Sequence, residues 1–125
     1  PTQNANNDYQ FYFYTDGRPL VLHWSQTYAR NEYIYDNDCT PLNDGNWHHV
    51  AFVNEGSSSH KIYIDGVLAQ TSTAAWVDDD RSIEPVHIGR YKNHTYSDDY
   101  WNGQIDDVRL YSRALEAGEI AELAR

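Results

Sequence analysis

Hydrophobic and polar positions alternate along most of this chain with a period of two, and only near the C-terminus does the spacing lengthen to that of a helix. Tyr9, Phe11 and Phe13 alternate with Gln10, Tyr12 and Tyr14, which predicts a strand over 9–15 with aromatic rings on both faces. Asp16-Gly17 turns the chain into a second strand, Pro19 to Trp24, and Asn31 to Asp36 reads as a third. The loop from Asn37 to Asn46, with Pro41 and Asp44-Gly45, leads into a central strand from Trp47 to Asn54, where Trp47, like Trp24, is expected in the core. After a Gly/Ser turn, Ile62 to Leu68 carries a second Asp-Gly pair, Asp65-Gly66, the strongest short-range hairpin signal in the chain.

The C-terminal run from Trp101 to Leu123 places a strand and a helix together. From Gln104 to Tyr111 the residues alternate, with Val108 and Leu110 in one phase and Asp107 and Arg109 in the other. Asp106 falls in the apolar phase, where a carboxylate needs a hydrogen bond, an ion pair or a metal to offset its desolvation. Glu116 and Glu119 stand at the positions of a capping box with Glu replacing the usual Ser or Thr. Leu115 and Ile120 occupy the hydrophobic staple positions, and Ile120 with Leu123 forms a one-sided apolar stripe. Gly118 and a length of about two turns mean that docking on a sheet must hold this helix.

Composition narrows the partners. The 125 residues are expected to form one domain, 1–125, with the polar residues 1–8 as a loose lead-in. Lys and Arg total 9 against 19 Asp and Glu, a formal charge of -10, which argues against nucleic acid and anionic membranes and leaves cations or neutral polar ligands. No apolar run approaches the length of a membrane span, so membrane insertion is not expected. Cys39 is the only cysteine, which excludes an intramolecular disulfide and a Cys-based zinc site. With 11 Tyr, 4 Trp and no Met, the composition suits strands and polar-ligand surfaces better than a helical bundle. His48 and His49 point to opposite faces of one strand and the other histidines are scattered, so zinc is not expected.

The segment Trp101-Asn102-Gly103-Gln104-Ile105-Asp106-Asp107-Val108-Arg109-Leu110-Tyr111, followed by Ser112-Arg113-Ala114-Leu115 and Glu119-Ile120, resembles the C-terminal signature of laminin-G-like, concanavalin A-like jelly-roll domains. Gly45 to Val53, Lys61 to Val67 and Val86 to Arg90 agree with that family in order, so the resemblance covers residues 45–123. It implies an all-β fold, an antiparallel two-sheet jelly-roll sandwich with one short C-terminal helix, and an extracellular, secreted or cell-surface setting. It also implies that Asp106 helps to hold a structural calcium ion, against the alternative of a carboxylate satisfied by backbone N–H groups. Pentraxins share the fold and carry an acidic ligand cluster after the strand matching Val86 to Gly89; Arg90-Tyr91-Lys92-Asn93 stands there instead, so that site does not carry over.

Two long polar loops, 71–84 and 92–100, hold most of the candidate chemistry. Asp78, Asp79 and Asp80 with Asp98 and Asp99 would supply oxygen ligands for calcium if the loops meet at one rim; otherwise they are solvated surface charge. Trp76, Tyr28, Tyr96 and Tyr100, with Arg90 nearby, suit stacking on sugar rings and hydrogen bonding to hydroxyls, against the alternative that such rings merely cover the sandwich end. Retaining glycosidases of the jelly-roll type pair carboxylates on alternate residues of one strand, and no strand here does so.

The expectation is therefore a noncatalytic extracellular module for carbohydrate or a protein surface, possible calcium assistance included. The alternatives are a polysaccharide hydrolase or lyase of the same fold and a structural or assembly module. The chain is short for a sandwich of the resembled family, in which further strands precede the region matching Tyr9. That shortfall predicts either self-association through an exposed strand edge or a place within a longer protein.

Overall fold

The computed structural model describes residues 8–25, 30–35, 41–75, 86–91 and 99–125. Strands β1 (Asp8–Phe13), β2 (Pro19–Ser25) and β3 (Arg30–Tyr35) form one antiparallel sheet in sequence order. A second antiparallel sheet consists of β4 (Val50–Asn54), β5 (His60–Ile64) and β6 (Val67–Ser72), and β7 (Arg90–Tyr91) pairs with β8 (Asp99–Tyr100) in a small ribbon. Helix α1 spans Ala117–Leu123.

Both expected hairpins form, by different turn chemistry. In the first, Gly17 N–H donates to Tyr14 O at 2.9 Å and Gly17 takes φ +85°. A side chain there would also meet Asn43, whose nearest atoms lie 2.6 to 3.0 Å from the Cβ position, so only glycine allows the loop to cross so closely. In the second, Asp65 at φ +50° and Gly66 at φ +81° make the two-residue turn whose twist matches the flanking strands. Ile64 then pairs with Val67, and a bulge at Ala69 shifts the register between Ile62↔Gln70 and Tyr63↔Leu68.

The register sorts β4 and β5 into two faces. Phe52 opposite Ile62 and Val50 opposite Ile64 share the face that packs on the first sheet, where Phe52, Ile62 and Ile64 meet Val21. Tyr9 continues this interface: its ring stacks on His23 at 4.7 Å and lies 6.2 Å from Phe52, and its hydroxyl accepts from Asn54 Nδ2 at 3.2 Å. His23 and His60 are both buried in this layer, although they lie far apart in sequence. Leu20, Val21, Leu22 and His23 are buried in succession, as befits the middle strand of a sheet covered on both faces.

On the other face of the second sheet, Val53 and Tyr63 receive Ile120 of α1, with Ala51 and Leu115 packed around them. The staple pair thus does what its spacing predicts. Full burial of Ile120 is worth about 1.5–3 kcal/mol, the scale of stabilisation that a seven-residue helix lacks by itself. The capping box also forms: Glu116 N–H donates to Glu119 Oε2 at 2.8 Å, and Arg113 clamps the same carboxylate at 2.8 and 2.6 Å.

Three expectations are corrected. Residues 104–111 form no strand; every residue from Trp101 to Ala114 is exposed, and Asp107 takes a left-handed φ of +53°, which interrupts the alternation. Asp106 accordingly faces no core. The central strand begins at Val50 rather than Trp47, and Trp47 is 65% exposed on the loop before it rather than part of the core. The hydrophobic pattern registered Trp47 as apolar, but no described element is brought over that side of the loop.

Candidate functional site

The β7–β8 ribbon carries the candidate ligand residues that fall among the described ones. Arg90 pairs with Tyr100 and Tyr91 with Asp99. Directly opposed residues of an antiparallel pair share a face, so Arg90 and Tyr100 stand side by side while Asp99 belongs to the opposite face. The ribbon is anchored at its base: Trp101 N–H donates to Gly89 O at 2.8 Å, and the Trp101 ring packs against Phe13 of β1 at 5.1 Å.

Tyr100 is 70% exposed, and Arg90 is exposed beside it. Arg18, Lys61, Arg109, Arg113 and Arg125 each ion-pair with a nearby carboxylate. Arg90 has no such pair with a described residue. Its planar donors remain available to an outside group, next to a phenol ring that offers an apolar face and a hydroxyl.

Metal ligation fares differently. Asp106 is exposed, and its Oδ1 accepts from the Asp107 N–H at 2.7 Å. Asp107 is itself held by both Nε and Nη2 of Arg109 at 2.8 Å. Among the described residues no three His, Cys, Asp or Glu side chains converge to hold a metal. Asp78, Asp79, Asp80 and Asp98 lie outside the described residues, as do Trp76, Tyr28, Tyr96 and Cys39; Asp99 is described and exposed.

A cluster that the sequence pattern did not single out joins two turns. His48 Nδ1 lies 2.8 Å from Asp65 Oδ2, and its Nε2 lies 3.1 Å from Asp44 Oδ1. Asp65 also accepts the His49 N–H at 2.9 Å. The hydrogen bonds to Asp65 and Asp44 raise the His48 pKa above its ordinary value. Asp44 is drawn down to about 2, first by the Asn46 backbone N–H, then by Asn46 and His48. For Asp65, burial works against ionisation, but His48 and the His49 N–H outweigh it and the pKa falls. With both ring nitrogens engaged by carboxylates, His48 ties the loop to the hairpin. The sequence signal was present in Asp44-Gly45 and Asp65-Gly66, two turns each led by Asp, but the distance between them is set by the sheet.

A family model described as the concanavalin A-like lectin/glucanases superfamily, of the laminin G type, matches residues 2–121. Among solved structures, a segment of an S-layer domain-containing protein from Clostridium thermocellum is similar over 100% of this chain, with a TM-score of 0.59 and 20% identity. The present chain covers 66% of that chain, and at this identity the likeness speaks for the fold. No curated protein matches the chain.

Proposed function

The chain belongs to the concanavalin A-like lectin/glucanases superfamily, and on that premise we propose that it is a noncatalytic, extracellular or cell-surface module that binds carbohydrate. The observation that carries this reading is the pairing of Arg90 with Tyr100: an exposed ring beside a guanidinium that forms no ion pair with a described residue, on a short ribbon. Stacking on a pyranose face and donation to its hydroxyl oxygens are what those two groups offer together. A surface setting is supported by the structural neighbour, which is named as an S-layer domain-containing protein.

Trp76, Tyr28 and Tyr96 are proposed to extend the same ligand surface, and calcium assistance is proposed only through Asp78, Asp79, Asp80, Asp98 and Asp99. A protein surface bearing glycans would meet the same groups. The test is affinity electrophoresis against a panel of neutral polysaccharides, with reducing-end release measured in parallel. Retardation by at least one polysaccharide, no release of sugar, and at least tenfold weaker binding on Tyr100→Ala at an unchanged melting temperature are expected. Silence across the panel, or sugar release that survives purification to homogeneity, would overturn the reading.

A further inference from the structure

Between the two sheets runs a row of four rings with an imidazole at each end. His23 of β2 stacks on Tyr9 of β1 at 4.7 Å, Tyr9 lies 6.2 Å from Phe52 of β4, and Phe52 stacks on His60 of β5 at 6.4 Å. The row therefore crosses from the first sheet to the second. His23 and His60 are both fully buried, and they are the buried polar side chains among the described residues. Imidazole is the side chain whose charge ordinarily changes near neutral pH, so an interface built around two of them responds to acid.

The neighbours of the row offer little to balance added charge. Tyr9 is a neutral phenol whose hydroxyl accepts from Asn54 Nδ2, while Asp8, opposite Trp24, belongs to the other face of β1. Asn54 and Ser72 stand opposite His60 on β4 and β6, and neither ionises. In phase with His23 on β2 are Val21 and Pro19, and in phase with His60 on β5 are Ile62 and Ile64. On β3, Glu32 stands opposite His23 and Arg30 opposite Ser25, so that strand brings one residue of each sign to this face. Glu55 and Lys61, on either side of His60 in the chain, hold each other at 2.6 Å. Register thus supplies one acidic position for two imidazoles.

We infer that His23 and His60 form an acid-sensitive latch between the two sheets, closed while His60 is neutral and released when both imidazoles carry a proton. The first imidazolium has an acidic position across from it; the second brings a like charge into the same buried layer, where salt screens repulsion least. Burial is the chief reason the His60 pKa is lowered, with His23 acting in the same direction and the backbone at Ala74 and Ser57 opposing both. Its stabilising contribution is therefore present above 6.5 and is lost as the pH falls toward the folded value. Water reaches the pair by parting the sheets along this row, while the strands within each sheet keep their backbone pairing.

An acid titration of the full chain, read by anilinonaphthalene sulfonate fluorescence and by circular dichroism, tests this. Between pH 6.5 and about 5, above the range in which ordinary carboxylates titrate, dye fluorescence should rise about threefold and the near-ultraviolet signal should fall, with the far-ultraviolet signal kept. His60→Phe sets a permanently neutral ring beside Phe52 and should lower the midpoint by about one pH unit or more. His60→Gln repeats the test with a smaller neutral side chain should the phenylalanine variant not fold. His48→Gln, outside this layer, should leave the midpoint in place. The inference is overturned by the absence of a transition above about pH 5, by a midpoint indifferent to the His60 substitutions, or by one that moves equally with His48→Gln.

Discussion

His48 and Asp65 meet at 2.8 Å between Nδ1 and Oδ2, and through this contact the loop that follows Asp44 is fastened to the turn of the β5–β6 hairpin. The same turn supports helix α1. A Cβ at Gly66 would lie 3.1 Å from Ala121 Cα and 3.1 Å from Ala124 Cβ. Loop, hairpin and helix therefore converge on the two residues Asp65 and Gly66.

Substituting Gly66 tests that convergence. Gly66→Ala combines a left-handed φ of +81° with a close helix, whereas Gly45→Ala meets φ +88° in open space. Left-handed backbone alone costs an L-residue about 1–2 kcal/mol, so Gly45→Ala should lose about that much. Gly66→Ala should lose roughly twice as much, because the helix must also shift. Urea denaturation of the two variants checks the difference; equal losses would mean that the helix yields freely.

The two imidazoles His48 and His60 should shape opposite flanks of the stability profile. His48 has a raised pKa in the folded state through Asp65 and Asp44, so its contribution is complete below its ordinary value of 6.5 and is lost as pH rises through the folded value. His60 has a lowered pKa, chiefly because burial disfavours the imidazolium, so its contribution is present above 6.5 and is lost as pH falls toward the folded value. His48→Gln should flatten the flank above pH 6.5 in urea midpoints while leaving the acid flank intact. An NMR titration of the ring protons should place His48 above 6.5 and His60 below it; the reverse order would contradict the structure.

Trp47 and Ile120 reverse what their side-chain sizes suggest. Trp47 is 65% exposed and Ile120 is fully buried, so Trp47→Ala should change stability by no more than about 0.5 kcal/mol. Ile120→Ala should cost about 2–5 kcal/mol and detach the helix. Thermal unfolding of both, with helix loss read by circular dichroism, separates them.

Calcium should act independently of Asp106. Because Asp106 is exposed and bonded to the Asp107 N–H, Asp106→Asn is expected to leave the melting temperature unchanged, in millimolar calcium or in chelator. A calcium-dependent rise that this substitution abolishes would restore Asp106 as a ligand.

What the sequence alone determined is local. The Asp65-Gly66 turn, the Glu116–Glu119 capping box and the Leu115–Ile120 staple all formed where spacing placed them, because each depends on residues a few positions apart. Strands β1, β2 and β5 likewise formed where the sequence placed them, since they have neighbours to pair with. In the candidate site, Arg90 and Tyr100 were legible as residue types; their shared face was not, because it depends on a register between strands separated by a loop. The tertiary structure decided everything that required a cover. Residues 104–111 alternate in sequence, yet no described strand pairs with them, and Asp106 and Trp47 are exposed with no described element laid over them. Periodicity specifies which side chains could share a face; burial exists only where another part of the chain arrives to exclude water.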